Sequence, residues 1–434
     1  MQRHAMRMLE GWRSNPDRKP LIIRGARQVG KTWLMKEFGK RFFTNVAYIN
    51  FENNERMQHV FQGNLDIGRL IAALQIESGV SISAKDTLLI FDEVQEVPQA
   101  LTSLKYFYEN APEYAVIAAG SLLGVAMHKE TSFPVGKVFF LDLYPLSFTE
   151  FLDATGNENL HGLIKQEDWS LITSFKSKYI ELLRSYYFVG GMPEAVASFV
   201  DRCNYSEARE IQLRLLTAYE LDFSKHAPNE TIPRIRMVWN SIPAQLAKDN
   251  RKFVYGSLRQ GARAKDFELA IQWLKDCGLI YQVERISKPS MPLTAYPGNG
   301  FKIFMLDVGL LAAKSALDES SILKGNSIFE EFKGSLTEQY VQQQLRSEAA
   351  IMPSYWSNEN SRAEVDFVFQ NRSDVIPLEV KATENLQAKS LKSYCEKYSP
   401  KVAIRSSMSD YRREEKLTNL PLYAISQIRK ECPE

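Results

Sequence analysis

Leu21-Ile22-Ile23-Arg24-Gly25-Ala26-Arg27-Gln28-Val29-Gly30-Lys31-Thr32-Trp33-Leu34 is the stretch whose reading decides the fold of this chain. Leu21, Ile22 and Ile23 predict a short buried strand, and Trp33, Leu34, Met35 and Phe38 carry the spacing of a helix. Between strand and helix lies Gly25-x-x-x-x-Gly30-Lys31-Thr32, a phosphate-binding loop in the context that motif demands. Glycines let the backbone curl so that successive N–H groups face oxygen atoms, and the helix N-terminus adds the positive end of its dipole. The loop from Gly25 through Ala26, Arg27, Gln28, Val29 and Gly30 to Lys31, Thr32 and Trp33 is therefore the expected nucleotide cradle. Lys31 can place a compact charge between the β- and γ-phosphates of ATP, and the Thr32 hydroxyl can ligate Mg2+.

Working outward, the next informative run is Thr87-Leu88-Leu89-Ile90-Phe91-Asp92-Glu93, four bulky apolar residues followed by two carboxylates. A central parallel strand delivers acids to its C-terminal edge in this way. Asp92 is expected to hold Mg2+ through water, and Glu93 to orient or deprotonate the attacking water. A fourth strand, Tyr114 to Ser121, ends in a hydroxyl. Ser121 is either a contact to the γ-phosphate or the water, or a plain strand-end serine. Further strands are expected at Asn45 to Phe51 and Val138 to Asp142, with helices over Met1 to Pro16, around Asp66 to Glu77, and over Pro98 to Asn110. The alternation predicts a β/α unit whose strand ends all point at the nucleotide.

At 434 residues the chain is too long for one core, and a 44% hydrophobic fraction is ample for globular packing. A net charge of +2, from 54 basic and 52 acidic residues, argues against a bulk nucleic-acid coat or a membrane-surface binder. Cys203, Cys277, Cys395 and Cys432 are scattered without C-x-x-C pairs, so neither zinc nor a disulfide framework is expected. The N-terminus lacks a signal-peptide core, and a cytoplasmic protein without membrane contact is the simplest expectation.

Several stretches together resemble a known family. They are Arg24 to Thr32, Phe91-Asp92-Glu93-Val94-Gln95, Gly120-Ser121, Tyr144-Pro145-Leu146-Ser147-Phe148-x-Glu150-Phe151, Gly190-Gly191-x-Pro193, and Phe301-Lys302-x-Phe304-x-x-Asp307-x-Gly309-Leu310. The chain is similar to prokaryotic AAA-type ATPases that carry a large C-terminal domain of originally unknown function. Where such proteins often have Gly-Arg before the fifth strand this chain has Gly136-Lys137, and lysine lacks the bidentate fork of an arginine finger.

Residues 153–230 read as a helical linker. Residues 231–300 read as a winged helix, with helices at Ile232 to Leu246, Tyr255 to Arg259 and Ala264 to Cys277 and a wing from Leu279. Arg259, Arg263 and Lys265 suit a DNA reader, but the balanced overall charge favours an inter-domain spacer.

The last hundred residues hold a second constellation. A helix containing Glu338 precedes strands at Ser354 to Trp356, Glu364 to Phe369 and Pro377 to Lys381, then a helix through Leu391 and Tyr394 and a strand from Lys401 to Arg405. Asp366 on one strand and Glu379-x-Lys381 on its neighbour give the acid and acid-x-lysine arrangement of restriction-endonuclease-like folds. Period two puts Glu379 and Lys381 on one face, with Asp366 across from them. On that reading Asp366 and Glu379, joined by Glu338, hold Mg2+, and Lys381 steadies the attacking hydroxide. Ordinary strand-edge charges give the same pattern, and fold alone does not establish cutting.

The expected fold class is thus α/β, and four parts are expected. Residues 1–152 form an AAA-type P-loop ATPase domain with a parallel sheet, 153–230 the helical linker, 231–300 the winged helix, and 301–434 a restriction-endonuclease-like α/β domain. The expected activity is Mg2+-dependent ATP hydrolysis coupled to a region that acts on DNA, or else to a catalytically silent interaction module. A small-molecule kinase is disfavoured because Asp92-Glu93 suits water activation. Protein partners and self-assembly are left open.

Overall fold

Leu88, Leu89, Ile90 and Phe91 have no exposed surface and form the middle of the N-terminal core. The structure, a computed structural model, describes residues 2–121, 134–248, 251–325, 330–358, 363–384 and 388–433. Its contacts gather the chain into two units: Gln2–Tyr144 with Asp276–Gly278, and Pro145–Lys275 with Leu279–Glu434.

In the N-terminal unit the described strands are β1 (Leu21–Arg24), β2 (Asn45–Asn50), β3 (Thr87–Asp92), β4 (Ala115–Ala119) and β5 (Phe139–Asp142). They pair in parallel in the order β2-β3-β4-β1-β5. Connecting helices are α1 (Ala5–Ser14), α2 (Lys31–Phe42), α3 (Glu55–Gln62), α4 (Ile67–Ser78) and α5 (Pro98–Asn110). The expected helix over Met1 to Pro16 is shorter at both ends, and Met1 itself lies outside the described residues. The boundaries of α4 and α5 follow from local chemistry. Asp66 caps α4 by accepting from Arg69 N, Gly79 ends it in a left-handed conformation, and Pro98 opens α5 where no N–H is needed. Edge-to-face rings join Phe51, Phe61, Phe91 and Phe107 beneath the sheet.

The second unit carries β6 (Ile280–Ile286), β7 (Pro297–Met305), β8 (Ser354–Ser357), β9 (Glu364–Asn371), β10 (Asp374–Val380), β11 (Ala403–Ser407), β12 (Arg412–Arg413) and β13 (Leu417–Pro421). They form one mixed sheet in the order β12-β13-β11-β10-β9-β8-β6-β7. Where the wing was expected, β6 and β7 pair antiparallel, and through the parallel pairing of β6 with β8 they continue into the C-terminal strands. Helices span Ile232–Leu246 and Ala264–Asp276, but the expected helix at Tyr255 to Arg259 is only a 3-10 turn, Tyr255–Ser257. The 3-10 segment Leu422–Glu431, which closes the unit, has no counterpart in the sequence reading.

A buried polar knot explains several of the resemblance motifs. Asp307 is fully buried and accepts from Gly191 N at 2.6 Å, Leu310 N at 3.0 Å and Gln343 Nε2 at 3.1 Å. Gln343 also donates to Tyr186 Oη, which donates to the carbonyl of Leu146 at 2.5 Å. A Cβ on Gly190, whose φ is +69°, would lie 2.1 Å from Asp307 Oδ2, and one on Gly191 would lie 2.0 Å from Leu146 O. Glycine is required at both positions for close backbone approach. The Glu330–Ser347 helix supplies Gln339, Gln343 and Gln344 to backbone groups of Met305, Val308 and Phe148. The amide nitrogens of these three residues are bonded as well, to Met305 O, Asp307 Oδ1 and Tyr186 Oη, as groups this deeply buried require.

Candidate functional site

The phosphate loop leaves β1 at Arg24 and enters α2 at Lys31. It turns through positive φ at Gly25 (150°), Gln28 (64°) and Gly30 (93°). Gly25 has a packing reason as well: a Cβ there would meet Leu143 O at 2.2 Å, because the chain after β5 closes over it. Arg3, itself buried, donates to Val29 O at 3.0 Å and Tyr144 O at 2.6 Å, so the segment before α1 braces the loop from behind.

Lys31 is buried within the loop, and its ammonium donates to the carbonyls of Gly25 (2.9 Å) and Ala26 (2.7 Å). Burial lowers its pKa to about 8, against the opposing pull of Glu93 and Asp92. Thr32 Oγ1 donates to Asp92 Oδ2 at 2.6 Å, and Tyr48 Oη donates to the same oxygen at 3.0 Å. Burial first, then Asp92, pushes the Tyr48 phenol well above its ordinary range, so it stays a donor. Hydroxyl and carboxylate side by side are the hard oxygen ligands that a Mg2+ ion takes, so Thr32 and Asp92 fit the ion that a bound triphosphate would bring.

Glu93 follows Asp92 in a left-handed conformation with φ 51°. That turn aims its carboxylate away from the strand, where Gln95 Nε2 (2.7 Å) and Ser121 Oγ (2.8 Å) donate to it. Burial raises its pKa, but the bonds from Gln95 and Ser121 and the charge of Lys31 outweigh burial and hold Glu93 below its ordinary value. The strand order explains Ser121: β4 lies between β3 and β1, so its end stands between the acids and the loop. Of the expected nucleotide contacts, Trp33 is 43% exposed at the start of α2, and Gln28 is exposed. Lys137 has its ammonium 3.0 Å from Glu109. Gln95 and Tyr48 were not foreseen, although Gln95 stands within the quoted Phe91 to Gln95 motif.

The second constellation lies in the other unit. β9 and β10 pair antiparallel, and Val380 N donates to Asp366 Oδ2 at 2.7 Å. Lys381 Nζ is 2.7 Å from Glu379 Oε1. Glu338 contacts Arg251 Nη1 at 2.6 Å and Lys302 Nζ at 3.4 Å, and Lys302 also reaches Glu364 Oε1 at 2.6 Å. Burial and then Glu338 and Glu379 raise Asp366 well above the carboxylate range, and it shares a hydrogen bond with Glu338. Burial opposes ionisation of Glu338 too, but Arg251 and Lys302 overcome it and keep Glu338 below its ordinary value. Lys302, Arg251 and Glu364 were missed as members. Lys302 was quoted only as part of the Phe301 to Leu310 motif, because nothing in its spacing ties a β7 residue to acids on other elements.

Among the described residues no helix is long and apolar enough to cross a membrane. Cys203, Cys395 and Cys432 are thiols outside any disulfide.

Comparison with known families finds an AAA domain over residues 17–152 and two domains of unknown function, DUF8612 over 180–321 and DUF4143 over 333–425. No curated protein matches. Among solved structures, the Walker-type ATPase PABY2304 of Pyrococcus abyssi aligns at 15% identity and TM-score 0.44, covering 72% of this chain and 95% of that one. The Orc1 protein of Aeropyrum pernix, solved in complex with DNA, aligns at 10% identity and TM-score 0.27, covering 72% and 90%. Cdc6p of Pyrobaculum aerophilum aligns at 11% and 0.24, covering 73% and 93%. The AAA-domain match over residues 17–152 encloses the phosphate loop, the two strand-end acids and the parallel sheet.

Proposed function

We propose that this protein is a Mg2+-dependent ATPase whose nucleotide state is relayed to its C-terminal region. The observation that carries the reading is the 2.6 Å contact between Thr32 and Asp92, with Lys31 in the loop beside them and Glu93 turned out of the strand next to them. Lys31 binds and neutralises the phosphates, while Thr32 and Asp92 would hold the Mg2+ ion, which would supply further positive charge against the charge developing on the phosphoryl group. Glu93, held ionised by Gln95 and Ser121, orients the attacking water and accepts its proton. Phosphate release from ATP by the wild-type chain, abolished in Lys31→Ala, tests the assignment. Equal turnover by the variant would refute it.

For the region after residue 152 the reading is a helical segment, a winged helix and a restriction-endonuclease-like domain acting on DNA. Arg259, Arg263 and Lys265 are exposed at and before the Ala264–Asp276 helix, which supports a phosphate-backbone contact. ATPase rates with and without single- and double-stranded DNA test this: stimulation of about tenfold supports it, and no change counts against it. In one form Asp366, Glu379 and Lys381 cut DNA with a metal held also by Glu338. In the other they belong to a silent interaction module, which the ion pairing around Lys302 favours. Plasmid nicking in Mg2+ or Mn2+, compared with Glu379→Ala, separates the two.

A further inference from the structure

The acidic cluster of the second unit already contains its own cations. Lys302, on β7, is fully buried, with its ammonium 2.6 Å from Glu364 Oε1 and 3.4 Å from Glu338 Oε2 and set over the ring of Tyr355. Arg251 takes the other oxygen of Glu338, Lys381 takes Glu379 Oε1, and the Val380 N–H takes Asp366 Oδ2. We infer that Lys302 is the resident cation of this cluster, standing in for the charge of a divalent ion, so that Glu338, Asp366 and Glu379 take up no catalytic metal.

Three considerations support this. A Mg2+ ion demands near-octahedral oxygen ligation at about 2.0–2.1 Å, whereas the carboxylates here are engaged by ammonium, guanidinium or amide donors. Among the described residues Glu379 Oε2 is the buried oxygen of the group left without a hydrogen-bond partner, and one oxygen is not a coordination shell. An ion entering beside Lys302 and Arg251 would meet two like charges in a poorly screened interior. The ammonium cannot diffuse away as a water or a free ion would, because it is tethered to β7.

Lys302, Arg251 and Lys381 thus lie among Glu338, Glu364, Asp366 and Glu379, basic side chains set directly against acidic ones. The same contacts bind Arg251, β7, β9, β10 and the Glu330–Ser347 helix into one piece. Metal-ligand residue types have here become a structural ion lock. This rests on the silent-module reading and deepens it by naming the residue that keeps the site silent.

The test is Mn2+ binding to the full-length chain without nucleotide, read by the loss of the free-ion electron paramagnetic resonance signal. Asp366→Asn and Glu379→Gln are expected to bind the same amount of Mn2+ as wild type, and Lys302→Met to gain one ion that Lys302→Met/Asp366→Asn loses. An ion bound by wild type and lost in Asp366→Asn or Glu379→Gln overturns the inference, as does a folded Lys302→Met that gains none. Should Lys302→Met not fold, the comparison of wild type with Asp366→Asn decides alone. Mn2+ held at these acids without strand nicking would sink this inference and leave the silent module standing; metal-dependent nicking lost in Glu379→Ala would sink both.

Discussion

Thr32 and Asp92 meet at 2.6 Å, joining the first turn of α2 to the end of β3 although β4 lies between β3 and the strand that feeds the loop. The contact ties the residue that follows Lys31 to the strand-end acids, and Tyr48 closes it from β2 with a second bond to the same carboxylate oxygen. Two hydroxyls on one oxygen hold the Asp92 carboxylate in a fixed orientation.

Glu93→Gln should keep ATP binding and lower hydrolysis by about a hundredfold or more, the loss of a general base. Ser121→Ala and Gln95→Ala remove one donor each from Glu93 and should lower kcat by about tenfold with little change in affinity, in line with the low end, ~1.5 kcal/mol, for a bond to a charged group. Steady-state phosphate release with separate nucleotide titrations checks both. Weakened binding with unchanged kcat would mean that Glu93 contacts ground-state nucleotide instead.

Lys31 gives a pH signature. Its folded pKa is about 8, below the ordinary lysine value, so between these two the unfolded chain binds more protons and this residue's contribution to stability rises with pH. A bound triphosphate favours the ammonium, so ATP binding should take up protons. The uptake follows the deprotonated fraction, about a quarter of a proton at pH 7.5 and about nine-tenths at pH 9 for a pKa of about 8. Calorimetry in buffers of different ionisation enthalpy measures it, and uptake that does not grow over this range would contradict the assignment.

Asp307→Ala removes the acceptor of two backbone N–H groups in a fully buried knot and should destabilise the second unit by about 3 kcal/mol. Gly190→Ala should cost a similar amount, since its Cβ would sit 2.1 Å from Asp307 Oδ2. The double variant should be less damaged than the sum, because deleting the carboxylate frees that space. Urea unfolding midpoints of the four proteins give the coupling, and strict additivity would show that the two residues do not share a site.

The phosphate loop and the acids were legible because their chemistry is local: spacing fixes Gly25 to Thr32, and an apolar strand ends visibly at Asp92. The expected strands at Asn45 to Phe51 and Val138 to Asp142 appear within a residue of their bounds, as Asn45–Asn50 and Phe139–Asp142. What sequence could not give is adjacency between distant elements. That Ser121 reaches Glu93 follows only from the strand order, which puts β4 beside β3, and Tyr48 looks like any strand aromatic until β2 pairs with β3. Lys302 shows the limit most clearly. It comes from β7, and only the fold of the second unit carries it to Glu338 and Glu364. The acids were visible as a pattern, while the cation set among them was not.

The central claim is that the loop from Gly25 to Thr32 captures the triphosphate tail of ATP. Isothermal titration of wild type and Lys31→Ala with Mg2+-ATP measures it directly. The account predicts one saturable site in wild type, weakened by about a hundredfold or lost in the variant, in line with removing a charged phosphate contact. Absence of binding in wild type, or equal affinity in the two proteins, would contradict it.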